Sequence, residues 1–133
     1  MTGSGAPINN YQPSLVLTQS LDSGGIFPSR DCPTCGAVNT LGMIRTFAGT
    51  FSPYGSPAAL GQVASISQNT ALFALLGTTY GGDGKTTFAY PDLAGRAAMG
   101  VGSGPGLTDR LLGEETGQAQ NIMTIDQLPA HDH

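Results

Sequence analysis

A chain of 133 residues is long enough for one small domain with a modest core, and too short for two. Charged residues make up 11% of the chain, less than half of the roughly 25% typical of soluble domains, so Ser, Thr, Gln, Asn and Gly must cover the surface. The net charge is −4 and the basic residues are few and scattered, which argues against nucleic acid as a partner. No apolar run approaches the length of a membrane span, and the N-terminus lacks a recognisable signal peptide.

Four segments divide the first half of the chain. The first ten residues form a Gly-, Ser- and Asn-rich arm that we expect to become ordered only against a neighbour. Alternating leucines predict a strand over 14–21. Residues 26–40, with two prolines, two cysteines and no periodicity, predict a connecting loop, and a second alternating run predicts a strand over 41–49.

The second half contains the best helix prediction, over 69–76, where apolar residues recur at helical spacing. Ser67 is the expected N-cap, and Gly77 is expected to end the helix. Brief strands are predicted over 97–101 and 118–124. These elements predict an α+β fold: a small, loop-rich domain with short strands, one main helix and an extended N-terminal arm.

Two regions follow from this order. Residues 1–40 are predicted to be an N-terminal arm with one strand and a cysteine-containing loop, and residues 41–133 are predicted to be the domain proper.

The Gly84-Lys85-Thr86 triplet raises the question of a phosphate-binding loop. That motif needs a glycine where this chain has Thr79, and it needs a strand before the loop and a helix after it. Here the predicted helix comes first. We therefore interpret Gly81, Gly82, Asp83 and Gly84 as a structural loop, in which the glycines permit positive φ and Asp83 binds its own loop amides rather than a cation.

Cys32 and Cys35 form a C-x-x-C pair with three physical interpretations. A metal site would need a second pair of ligands nearby, and none occurs before His131. A redox pair would lie at a helix N-terminus, and the residues after Cys35 have no helical period. A disulfide, within one chain or between two, is favoured, while free thiols and metal or redox chemistry stay open.

The sequence offers no catalytic constellation. Ser, His and Asp are all present, but both histidines lie within the last three residues. Glu114 and Glu115 are adjacent and expected to be solvated. We therefore predict that the protein is not an enzyme.

Several motifs resemble one known family. The run from Ile66 to Phe88 (ISQNTALFALLGTTYGGDGKTTF), the motif PDLAGR at 91–96 and the motif LPAHDH at 128–133 closely resemble the phage tail collar domain. Within that family they are most similar to the microcystin-dependent-protein branch of bacteria. The resemblance covers nearly the whole chain after the first ten residues, although the segment 52–61 lacks the family's usual tryptophan.

The resemblance implies a metal site at the C-terminus. In phage fibres, related domains form trimers in which His-x-His pairs from three chains can bind one metal ion. Carried to this chain, the pair is His131 and His133, which would share a transition metal such as Fe or Zn between chains. The alternative is a solvated histidine pair at a chain end.

The sequence and the resemblance support two functional hypotheses. The first is a non-enzymatic structural protein, extracellular, at a cell surface or in a virion tail, that assembles with itself as a trimer or filament; residues 11–21 would add to a neighbour's open sheet edge. The second is a trimeric tail-tip adhesin that binds a cell-surface glycan. Tyr54, Tyr80 and Tyr90 lie near glycines and suit sugar stacking if they are exposed, and any of them could instead belong to the core.

Overall fold

A computed structural model describes residues 5–31, 39–122 and 124. The chain divides into two compact units, one formed by Met1–Leu15 with Glu115–His133 and the other by Val16–Glu114. Residues 40 and 41, on either side of the predicted domain boundary, both lie in the second unit. In chain order the described elements are β1 (Ile8–Asn9), β2 (Thr18–Leu21), β3 (Ile44–Phe47), β4 (Val63–Ser65), α1 (Thr70–Leu76), β5 (Thr87–Ala89) and β6 (Gln120–Asn121).

The first unit contains an antiparallel pair formed by β1 and β6. The N–H of Asn10 extends the pair by donating to the carbonyl of Ala119 over 2.9 Å. The strand predicted over 118–124 is thus present at residues 120–121. Its partner comes from the N-terminal arm, so residues 8–9 pair within their own chain, although we expected this arm to become ordered only against a neighbour.

In the second unit, β2 pairs with β3 in an antiparallel register that places Leu21 opposite Ile44. Both predicted strands are confirmed but shortened to four residues. Residues 14–17 fall outside β2, and the Leu15 and Val16 side chains are 85% and 90% exposed. The shortening has a physical reason: within the described residues, no strand lies opposite 14–17 to accept their backbone hydrogen bonds.

The helix α1 lies in the chain between β4 and β5, which pair with each other. It ends as predicted at Gly77, whose N–H donates to the carbonyl of Phe73 over 2.8 Å. The predicted Ser67 cap is wrong, since that hydroxyl lies 2.8 Å from the Ser65 hydroxyl instead. The N-cap position belongs to Asn69, whose side-chain amide donates to the carbonyl of Ser65 over 3.0 Å.

Phe88 on β5 is the centre of the hydrophobic core and is fully buried. Its ring centroid lies 5.6 Å from that of Phe73 on α1 and 5.8 Å from that of Tyr90. The other buried members of the cluster are Leu21, Leu41 and Leu72. Burying a side chain of this size contributes about 2 kcal/mol of transfer free energy, so α1, β2 and β5 are held together mainly through this cluster.

The described residues form a small α+β domain in which one helix and short paired strands alternate with long loops, as predicted. The strand predicted over 97–101 is wrong: these residues belong to no strand, and the isolated bridge between Gly102 and Arg110 begins just after them. The glycines at 100 and 102 weaken a strand, and Met99 and Val101 remain exposed. No helix in the described part of the chain has the length and apolar character needed to cross a membrane.

Candidate functional site

The loop between α1 and β5 is organised by the carboxylate of Asp83. Its Oδ1 accepts the backbone N–H groups of Lys85, Thr86 and Thr87 at 2.8, 2.9 and 2.9 Å. Its Oδ2 accepts the Thr86 hydroxyl at 2.8 Å. These bonds, that of Thr87 first, hold the pKa of Asp83 well below its ordinary value. The carboxylate binds its own loop amides, as the sequence predicted, and both of its oxygens are occupied.

The glycines of this loop let it lie directly against β5. Gly82 has a φ of +93°, and a Cβ atom there would meet the Cα of Phe88 at 2.4 Å. Gly81 accepts the N–H of Ala89 at 3.1 Å. With the helix before the loop and the strand after it, the order is the reverse of a phosphate-binding loop. The loop is therefore a structural turn that fixes β5 against the end of α1.

A second feature is a shallow groove beside the fully exposed ring of Tyr54. We call it the Tyr54 groove; it is lined by Ser23, Gly24, Ser52, Pro53, Tyr54, Gly55 and Pro57. The carbonyl of Gly55 accepts both the N–H of Ser23, at 2.9 Å, and its hydroxyl, at 3.0 Å. The groove is thus held in place by hydrogen bonds between its two walls, and it combines an aromatic face with hydroxyl groups.

An ion pair with a buried carboxylate involves Asp22, the residue before the groove residue Ser23. The Asp22 side chain is 3% exposed and accepts from the Nε of Arg45 at 2.7 Å. It also accepts from the hydroxyl of Ser56 at 2.5 Å. Asp22 therefore ties the turn at 53–56 to the β2–β3 sheet. Sequence reasoning missed this residue, although an aspartate that directly follows an apolar strand residue was a usable signal.

The three tyrosines suggested for surface binding occupy different environments. Tyr54 is exposed and Tyr80 is partly buried. Tyr90 is 6% exposed and packs against Phe88, so the core alternative holds for it and its suggested role in surface binding is wrong. The burial also raises the pKa of the Tyr90 hydroxyl. Of the three, Tyr54 presents the ring face that sugar stacking requires.

Exposed apolar side chains are spread over the described residues, and two segments carry several of them close together in the chain. One is the segment before β2, with Leu15 and Val16. The other, which we call the 99–112 segment, exposes Met99, Val101, Leu107, Leu111 and Leu112. Its turn is closed by Glu114, which accepts the N–H of Leu111 at 2.9 Å and pairs with Arg110 at 2.8 Å. Proximity in the chain places these exposed apolar side chains near one another, and a contiguous apolar patch would mark a site of interaction.

The remaining predicted site residues are the metal pair His131 and His133 and the disulfide pair Cys32 and Cys35. All four lie outside the described residues, so the metal site and the disulfide stay predictions. Within residues 5–31, 39–122 and 124, no three His, Cys, Asp or Glu side chains are grouped so that they could hold a metal ion.

The geometry defines a loop-rich domain with three organised features: a carboxylate that fixes a turn, an ion pair with a buried carboxylate and an exposed aromatic groove. The family model of the Phage Tail Collar Domain matches residues 42–98. This segment contains β3, β4, α1 and β5, and the match confirms the resemblance to that family. The branch within the family stays a prediction. The chain has no match among curated proteins or among solved structures.

Proposed function

We propose that this protein is a non-enzymatic structural subunit that assembles with itself into a phage tail fibre or a related extracellular appendage. The observation that carries the proposal is the match of residues 42–98 to the phage tail collar domain, a structural domain of phage tails. The matched segment supplies Phe88, Leu72 and Tyr90, most of the buried cluster. The collar domain is therefore the part of the chain around which the second unit folds.

Composition and surface support the self-association. Only 11% of the residues are charged, so few ions need to be desolvated when two copies meet. The Leu15 and Val16 side chains and the 99–112 segment offer apolar area that one described chain leaves exposed. Assembly would bury these side chains. A trimer and a filament both satisfy this argument.

The test is the state of the purified full-length chain. We expect negative-stain electron microscopy to show fibres or discrete oligomers, and light scattering to give a mass of at least three chains. A single chain mass at high concentration, with no particles on the grid, would contradict the proposal. Turnover of a small molecule by the purified protein would contradict its non-enzymatic part.

Part of the N-terminal segment predicted to bind a neighbour is paired within its own chain. Of the predicted donor strand 11–21, residues 18–21 form β2 and pair with β3 of their own chain. Leu21 is also buried in the core. Deleting residues 1–21 to test assembly would therefore unfold the second unit. Substitutions confined to residues 11–17 are suitable tests of whether this segment contributes to assembly.

A second function, a trimeric adhesin that binds a cell-surface glycan, is favoured by the Tyr54 groove. An exposed ring beside serine hydroxyls matches the alternating apolar and hydroxyl faces of a sugar. We expect glycan-array signals that Tyr54→Ala lowers at least tenfold. Tyr11→Ala is the matched control because Tyr11 is also exposed and lies outside the groove. Equal signals from both variants, or none from the wild type, would exclude the groove as a glycan site.

A further inference from the structure

The hydrogen bonds of β2 show toward which edge of the strand each residue directs its backbone N–H and C=O groups. The N–H of Leu21 donates to Pro57 at 2.9 Å, and the carbonyl of Gln19 accepts from Ala59 at 2.8 Å. Alternate residues of a strand direct their backbone groups to opposite edges. The backbone N–H and C=O groups of Leu21 and Gln19 therefore point toward residues 57–59, and those of Thr18 and Ser20 point toward β3.

The same alternation identifies the free edge of β3. Ile44 and Thr46 are opposite Leu21 and Gln19, so their N–H and C=O groups point away from β2. Within the described residues, no backbone hydrogen bond joins this outer edge to another segment. Two donors and two acceptors are thus available side by side. An unpaired edge of this kind is a template for another strand.

Residues 15–17 have the matching pattern. Leu15 and Val16 are the most exposed aliphatic side chains of the described chain. With Leu15 and Leu17 placed beside Ile44 and Thr46, both leucines lie on the face of the sheet that carries buried Leu21. Val16 then lies opposite Arg45. The added strand would extend the apolar face and satisfy the open backbone groups.

The occupant must come from another copy. Leu17 directly precedes Thr18, which pairs with Phe47 on the inner side of β3. A strand added at the outer edge of β3 would lie two strand spacings from β2, about 9.6 Å. Adjacent Cα atoms, such as those of Leu17 and Thr18, are only about 3.8 Å apart. Leu17 of the same chain therefore cannot reach the outer edge.

We propose that the outer edge of β3 binds residues 15–17 of a second copy of this chain as an added strand. The inference rests on the proposed self-assembly and specifies its contact. Each copy carries one donor segment and one acceptor edge, so the contact joins different surfaces and repeats from copy to copy as a ring or a filament.

Two full-length variants test the two sides of this contact. Thr46→Pro removes the outward N–H and leaves the bonds between β2 and β3, because proline is accepted where the N–H faces away from the partner strand. Thr46→Val is its control, since it keeps the N–H. Val16→Lys places a positive charge opposite Arg45, and Val63→Lys makes the same change at an exposed site outside the surfaces proposed for assembly. Association is measured by sedimentation velocity over a concentration series.

We expect Thr46→Pro and Val16→Lys each to weaken association at least tenfold, which corresponds to about 1.4 kcal/mol, while both controls behave as the wild type. A mixture of the two defective variants should form one-to-one pairs, because one retains the donor segment and the other the acceptor edge.

If Thr46→Pro and Val16→Lys each assemble like the wild type, this strand contact is overturned and the proposed self-assembly stands. If the wild type is monomeric, the strand contact and the proposed self-assembly are both overturned. Circular dichroism checks the fold of Thr46→Pro; Val16 is exposed, so its variant tests the contact even if the proline variant does not fold.

Discussion

Asp22 and Arg45 form an ion pair in which the carboxylate is buried and the guanidinium is 43% exposed, with 2.7 Å between Nε and Oδ2. The pair joins the residue after β2 to the centre of β3. Arg45 also donates from Nη2 to the side-chain oxygen of Asn39 at 2.9 Å. The ion pair therefore connects three parts of the second unit: Arg45 binds the segment before β3, and Asp22 binds the turn at 53–56 through Ser56.

Among the residues that the structure describes, loss of this arginine leaves the buried carboxylate with the Ser56 hydroxyl as its remaining side-chain partner. We expect Arg45→Met to lower the free energy of unfolding by about 2 kcal/mol, after allowance for the exposure of the guanidinium. Urea denaturation followed by circular dichroism measures it. Lys85→Met is the control, because Lys85 is exposed and the change of charge is the same. Equal stability of the two variants would show that the pair contributes nothing.

The core prediction concerns Phe88. Phe88→Ala removes a fully buried ring that contacts Phe73 and Tyr90, and we expect a loss of about 4 kcal/mol. Phe51→Ala should cost about 1 kcal/mol, since Phe51 is exposed and keeps only its edge contact with Phe47 at 5.7 Å. Thermal unfolding of both variants gives the comparison. Similar midpoints for the two would place the core elsewhere.

The Asp83 turn predicts a pH dependence. The folded state lowers the pKa of Asp83, so the carboxylate contributes stability above the unfolded value of about 3.9, and this is lost as the pH falls through that value toward the folded pKa. We expect the stability of the wild type to fall between about pH 5 and pH 2, and that of Asp83→Asn to fall less. Denaturation at a series of pH values tests this. Parallel curves would mean that the turn does not depend on the charge.

Gly82 and Gly95 both have positive φ but differ in the space around an added Cβ atom. Substituting each by alanine therefore distinguishes the cost of backbone conformation from the cost of a steric clash. Gly95 has a φ of +67° and open space around an added Cβ, whereas a Cβ at Gly82 would meet the backbone of Phe88. We expect Gly95→Ala to cost about 1 kcal/mol from conformation alone, and Gly82→Ala about 3 kcal/mol because the loop must also move away from β5. The two denaturation midpoints decide the matter, and equal costs would contradict the close approach of loop and strand.

The sequence by itself determined the features that depend on neighbouring residues. The helix predicted over 69–76, its end at Gly77 and the binding of loop amides by Asp83 follow from local spacing and turn chemistry. The structure shows the helix at Thr70–Leu76, its end at Gly77 and the Asp83 turn. The family resemblance likewise rests on contiguous motifs, and the match at 42–98 confirms it.

Only the tertiary structure decided what depends on residues far apart in the chain. The sequence could not show that Tyr90 is buried, that Asp22 meets Arg45, or that the pairing with β3 begins at residue 18 and excludes 14–17. Burial and strand pairing arise from contacts made across tens of residues, whereas periodicity reports only which side chains share a face. The free edge of β3 is visible for the same reason: a backbone group is known to be unpaired only once its neighbours in space are known.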